Sequence, residues 1–431
     1  MTTLAAGIDT GDTAWLLAAT ALVLLMTPGL ALFYGGMVRT KSVLNMLMMS
    51  FVSIALVTVV WLVAGYSLVF GGDAFAGLIG GLSHLGMAGI GPSDVQGTVP
   101  TLLFATFQLT FAIITAALIS GAIADRARFG AWLIFVPVWT LLVYIPVAHW
   151  VWGPGGWIAA DLKALDFAGG MPVEICSGAS GLALCLVLGP RLGFKKDAMR
   201  PHNMPMVVMG AGLLWFGWFG FNAGSALGAN GLAAAAFLNT LAAGCTGLLG
   251  WLFVEQRRDG HPTTLGAASG AVAGLVAITP SCGSVGLIGA LVVGLVAGVL
   301  CSYAVGWKFR LNYDDSLDVV GVHLVGGIVG TILIGLFATS AMTGGAEGLL
   351  YGGGFGQLGR QAVGVVAVGV YAFAVTYGIG KAIDRLAGFR VEEEHEYQGL
   401  DLTVHAESAY DHGVLGHGAP LSASATQKVK P

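Results

Sequence analysis

DFAGGMPVEICSGASG (166–181) and DSLDVVGVHLVGGIVG (315–330) share one plan. Each opens on an aspartate, carries an ionisable residue eight positions later, and continues with two spaced glycines. Asp166 leads to Glu174, Gly178 and Gly181, and Asp315 leads to His323, Gly327 and Gly330. A valine precedes each ionisable residue (Val173, Val322), and the rest of each stretch is largely apolar. With 68 glycines in the chain, the glycine matches mean little alone. A Glu and a His at equivalent points of two apolar helices mean much more. Ionisable groups are costly inside lipid, usually face a cavity, and mark an ion or proton path. The two helices are expected to meet at the centre of a pore.

Composition agrees. The chain is 56% apolar and 10% charged, with a mean hydropathy of +0.82, whereas soluble domains carry about 25% charged residues. This is a membrane composition. The net charge of −4 is small and no basic patch suggests nucleic acid. The five cysteines (Cys176, Cys185, Cys245, Cys282, Cys301) are scattered without CxxC spacing, so neither a disulfide framework nor a metal site is expected. One GxGxxG match (Gly354, Gly356, Gly359) lacks a preceding strand and is not read as a dinucleotide site. No cofactor is implied. The N-terminus has no basic region of the signal-peptide kind, so the first apolar run reads as a permanent helix.

Apolar segments of about spanning length lie near 14–36, 45–70, 100–122, 130–151, 168–189, 204–223, 230–254, 263–279, 284–306, 317–338 and 361–385. That predicts an all-α polytopic membrane protein of eleven helices, with 1–389 as the transmembrane domain and 390–431 as a C-terminal tail. If the N-terminus is outside, 17 of the 19 Lys and Arg residues fall inside and only Lys163 and Arg360 outside. The positive-inside rule therefore predicts a cytoplasmic C-terminus. From the helix of Glu174 to that of His323 is a step of five helices, and an odd offset reverses direction. Helices one to five and six to ten are expected to be inverted repeats, with the eleventh helix added outside them. Eight residues span about 12 Å of helix, so both ionisable groups should lie near the bilayer centre.

Glu174 and His323 have a bland reading, a buried hydrogen bond tying two helices. The alternative is a proton-sharing pair on a narrow path. Burial favours neutral forms and proximity favours the charged pair, so the two should titrate as a unit. Asp166 and Asp315 read first as helix caps; Asp166 also stands at the outer mouth, where fixed negative charge favours a cation. Phe107, Gln108 and Phe111, AHWVW (148–152) and WFGWFGFNAGS (215–225) converge on that mouth. Aromatic faces there can hold a small cation, and Ser225 can accept a hydrogen bond from it. Trp157 and Trp251 read as interfacial belt residues, and EEEHE (392–396) as a solvated acidic stretch.

Together, TPGLALFYGGMVR (27–39), ADRARFGAW (124–132), YIPVAHWVWGPGGW (144–157), LDFAGG (165–170), WFGWFGFNAGSA (215–226), DVVGVHLVGGIVG (318–330) and GLDLTVHAESAY (399–410) resemble the ammonium transporter family (Amt/Mep/Rh) to about residue 410. The resemblance implies that Phe107, Trp152 and Ser225 form an outer recruitment site, supported by Asp166. It implies that Phe111 and Phe221 stack as a gate, and that Glu174 and His323 occupy the positions of the two pore histidines. Glu174 departs from the family pattern, although some fungal members also carry an acid there. A mechanism requiring two neutral imidazoles in a row is therefore not carried over. The resemblance further implies a homotrimer in the inner (plasma) membrane, closed from inside by a PII-type signalling protein. It suggests that the tail touches cytoplasmic loops of a neighbouring subunit.

The expected function is transport of ammonium: recruitment of the cation, loss of its proton, passage of ammonia, and proton transfer through Glu174 and His323. Alternatives are an electroneutral channel for ammonia or carbon dioxide, and an ammonium sensor. No nucleophile–base pair or metal cluster lies in the helices, so no enzyme is expected.

Overall fold

In a computed structural model that describes residues 7–410, the two opening stretches become the starts of two helices packed against each other. They belong to a series of eleven: α1 (Thr10–Met37), α2 (Thr40–Phe70), α3 (Thr101–Ile123), α4 (Phe129–Trp152), α5 (Gly170–Leu188), α6 (Met204–Gly224), α7 (Gly231–Arg258), α8 (Thr264–Ile278), α9 (Leu287–Leu311), α10 (Val320–Phe337) and α11 (Gly356–Ala387). Ten are long and apolar enough to cross a membrane. The exception, α8, has 15 residues and is prolonged by a buried turn through Thr279, Ser281 and Cys282. The order of elements puts the first residues of α1 and the end of α11 on opposite faces, called here the N-terminal face and the tail face.

The inverted repeat is visible in reciprocal contacts between α5 and α10. A Cβ added to Gly178 would lie 2.4 Å from the Leu324 backbone N, and one added to Gly327 would lie 3.2 Å from the Ile175 backbone N and 2.8 Å from Glu174 Cβ. Each glycine stands four residues past its own ionisable residue and meets the residue that follows the other one. The two helices can cross this closely only because both positions lack a side chain. The caps repeat as well. The Asp166 carboxylate accepts from Gly170 N and Met171 N at 2.9 and 2.6 Å. Asp315 accepts from Val319 N and Val320 N at 3.1 and 2.7 Å, the same four- and five-residue offsets. Both helices begin with a π-helical turn, Gly170–Ile175 and Val320–Leu324, and these turns carry Glu174 and His323.

On the N-terminal face, the short antiparallel pair β1 (Val95–Gln96) and β2 (Val99–Pro100) lies between α2 and α3. On the tail face, Arg191 joins Asp125 and Asp314 at 3.3 and 2.8 Å, and Arg39 reaches Asp125 at 3.1 Å. Loops of both repeats are tied there by one buried charge cluster.

The tail begins with α12 (Glu393–Gln398) and α13 (Leu400–His405) and corrects one expectation. Glu392, Glu393 and Glu394 are exposed, but Glu396 is buried, accepting from Leu192 N at 2.6 Å and Arg390 Nη2 at 2.8 Å. Asp401 caps the start of α2 through Leu44 N and Asn45 N at 3.0 and 2.8 Å. The tail thus docks on loops of its own chain. The Gly/Ala/Ser segment from 411 onward lies outside the described residues. Trp251 is also not a belt residue: it is 5% exposed and donates Nε1–H to Glu255 at 3.1 Å.

Candidate functional site

A cavity of about 390 Å³ opens on the N-terminal face. Phe104, Gln108 and Phe111 of α3 and Trp152 at the end of α4 form much of its wall, and Ser225 lies at the end of α6. Phe70, Gln96, Phe167 and Leu227 also face it. The Phe111 and Trp152 rings meet at 90° with centroids 5.9 Å apart. Ser225 Oγ donates to Phe221 O at 2.8 Å, which leaves its lone pairs for a donor in the cavity. Ring faces and acceptor lone pairs together suit a small cation bearing N–H groups.

Two residues expected at this site stand behind its wall. Phe107 is fully buried, edge-on to Phe111 at 4.9 Å and pressed on Gly224. Asp166 is half-buried, with its carboxylate turned onto the Gly169, Gly170 and Met171 amides at 2.6–2.9 Å. Burial pushes its pKa up to about 6, against the lowering effect of those hydrogen bonds. Its backbone oxygen accepts from Trp152 Nε1 at 3.4 Å, so Asp166 touches the cavity wall through its main chain.

Phe111 and Phe221 stack as the floor, centroids 4.1 Å apart and planes inclined by 33°. Beneath them runs a constriction with a free volume of about 10 Å³, room for one water at most. Met26, Leu30, Ile114, Val173 and Leu214 make its wall apolar. Glu174 and His323 are the ionisable residues among those that line it. They are 1% and 5% exposed, and His323 Nδ1 lies 2.7 Å from Glu174 Oε2. At that distance one proton serves both groups, as N–H to carboxylate or as carboxyl O–H to neutral ring nitrogen.

Reading the sequence missed Phe104, Phe70, Gln96, Phe167 and Leu227. Phe104 was within reach, because it stands seven residues before Phe111 and therefore on the same helix face. The other four come from α2, from β1 and from loops, whose approach to α3 no local spacing reveals.

The model of the Ammonium Transporter Family matches residues 14–410. The chain belongs to the ammonium transporter family. A family member from Mycobacterium tuberculosis, named as an ammonium transporter, is 54% identical over 94% of this chain and 91% of its own length. Among solved structures of the family, Mep2 from Candida albicans superposes with a TM-score of 0.84 at 38% identity, covering 90% of this chain and 88% of that one. A sensor Amt protein superposes with a TM-score of 0.84 at 28% identity, covering 91% and 97%.

Proposed function

We propose that this chain carries ammonium across the membrane and moves charge as it does so. The N-terminal cavity is the outer recruitment site, where Trp152, Phe111 and Ser225 hold the cation and Phe107 and Asp166 support that wall from behind. Dehydration makes the charge costly, and ammonium gives up its proton. Ammonia passes the Phe111–Phe221 gate into the apolar constriction. The proton travels separately through Glu174 and His323. The single observation that carries this reading is the 2.7 Å Glu174–His323 contact in an otherwise apolar constriction.

The charge asymmetry of the loops supports an N-terminus outside and a tail in the cytoplasm, in the inner (plasma) membrane. Residues 1–389 act as the transport domain and 390–431 as the cytoplasmic tail. The working assembly is a homotrimer with one pore per subunit. A PII-type protein would meet the tail face, where a recess of about 540 Å³ is lined by Arg191, Lys195, Asp197 and Lys308.

The test is the electrical response of protein in liposomes to an ammonium pulse. A sustained current absent with potassium, and lowered at least tenfold by Glu174→Gln, is expected. An unchanged current in that variant would remove the relay. Rapid internal pH change without current would make the protein a neutral gas channel. Binding with neither signal would make it a sensor.

A further inference from the structure

The two segments overhanging the outer cavity, β1–β2 and the α6–α7 loop, are fastened by one side chain in neither of them. Asp12, in the first turn of α1, accepts from Thr98 Oγ1 through Oδ2 at 2.6 Å and from Ala229 N through Oδ1 at 2.8 Å. Thr98 lies between β1 and β2, two residues from Gln96, and Ala229 lies two residues from Leu227. Gln96 and Leu227 both line the cavity; Asp12 does not. The surrounding chain supports the tether. Asp9 N donates to Thr98 O at 2.8 Å, Asp9 Oδ1 caps α1 through Asp12 N at 2.8 Å, and a Cβ on Gly228 would come within 3.0 Å of Asp12 Oδ1. Leu227 is held at a positive φ of 52°, a conformation unfavourable for a bulky residue that persists when its surroundings impose it.

We infer that Asp12 is a positioning residue for substrate capture: it holds Gln96 and Leu227 in register at the mouth, and so sets the affinity of the outer cavity while leaving the pore alone. This rests on the outer-cavity reading above. Loss of the tether lets β1–β2 and the 226–230 loop move independently, which weakens capture. The gate and the Glu174–His323 pair hang on α3, α5, α6 and α10 and keep their geometry.

The experiment compares wild type, Asp12→Ala, Asp12→Asn and Thr98→Val in liposomes, measuring the half-saturating ammonium concentration and the maximal current. Asp12→Ala is expected to raise the half-saturating concentration at least fivefold with maximal current within twofold. Asp12→Asn, whose amide can still accept from Ala229 N and donate to Thr98 Oγ1, restores most of the affinity. Thr98→Val added to Asp12→Ala costs nothing more, because Asp12→Ala has already removed the link that Thr98 makes. A fall in maximal current at unchanged half-saturation overturns the proposal, as does Asp12→Asn failing as badly as Asp12→Ala. A second readout does not depend on transport. With the exposed Cys245 replaced by Ser, Gln96→Cys should react faster with a charged thiol reagent when Asp12 is Ala than when it is Asp. Equal rates overturn the tether even if no current is ever seen.

Discussion

At the scale of single residues, the proposed charge movement turns on Glu174. A glutamine there keeps the size and one hydrogen-bonding oxygen, so the tenfold loss of current expected for Glu174→Gln comes from losing the proton site, with little change in packing. Asp166 makes a different prediction. Burial pushes the pKa of its carboxyl up to about 6 in the fold, above the ordinary value of 3.8. The folded protein therefore binds this proton more readily than the unfolded chain, and acidification from about 6 towards 3.8 neutralises Asp166 while favouring the fold. Negative charge behind the cation cavity is present above about pH 6 and lost below it. The half-saturating ammonium concentration should rise severalfold between pH 7 and pH 5, and Asp166→Asn should flatten that dependence. A wild-type profile that is flat over this range would show that the amide cap alone is what Asp166 provides.

At the scale of elements, the crossing of α5 and α10 decides whether Glu174 and His323 meet at all. A methyl group at Gly178 would sit 2.4 Å from a backbone nitrogen, which no side-chain rotation relieves. Gly178→Ala should cost about 1–3 kcal/mol of stability or more, as overpacking does, and should depress current, because relief requires the helices to part. A melting temperature in detergent indistinguishable from wild type would show that the crossing has slack. This pair of elements was legible in the sequence because a buried charge, a cap and two glycines recur at fixed offsets. The π-helical turns were not, since hydrogen-bond register leaves no mark in hydropathy. Helix ends were read short where helices leave the apolar layer: α7 runs on to Arg258 and α9 to Leu311, past charges at which an apolar window stops. The solvated reading of Glu396 failed for a related reason. Its partners Leu192 and Arg390 converge only once the α5–α6 loop and the tail are both in place.

At the scale of the whole molecule, the two repeats share a backbone plan but place different chemistry at its meeting point. The acid arrives on the helix that starts from the N-terminal face and the imidazole on the one that starts from the tail face. Exchanging them, as Glu174→His with His323→Glu, keeps the composition of the pair and reverses its order. The double variant should keep a measurable ammonium current, while either single variant, pairing two acids or two imidazoles, conducts differently in size and pH profile. A double variant as inactive as Glu174→Gln would show that surroundings unique to each repeat, beyond the shared backbone, tune each group. The unequal pair has a kinetic corollary. A path whose two halves were chemically identical would pass traffic equally fast both ways under mirrored gradients, whereas an acid–base couple at its waist gives it a polarity. Thermodynamics still fixes the resting distribution of ammonium, but influx and efflux need not share a rate law. On the proposed relay, inward and outward currents under mirrored gradients are expected to differ in size.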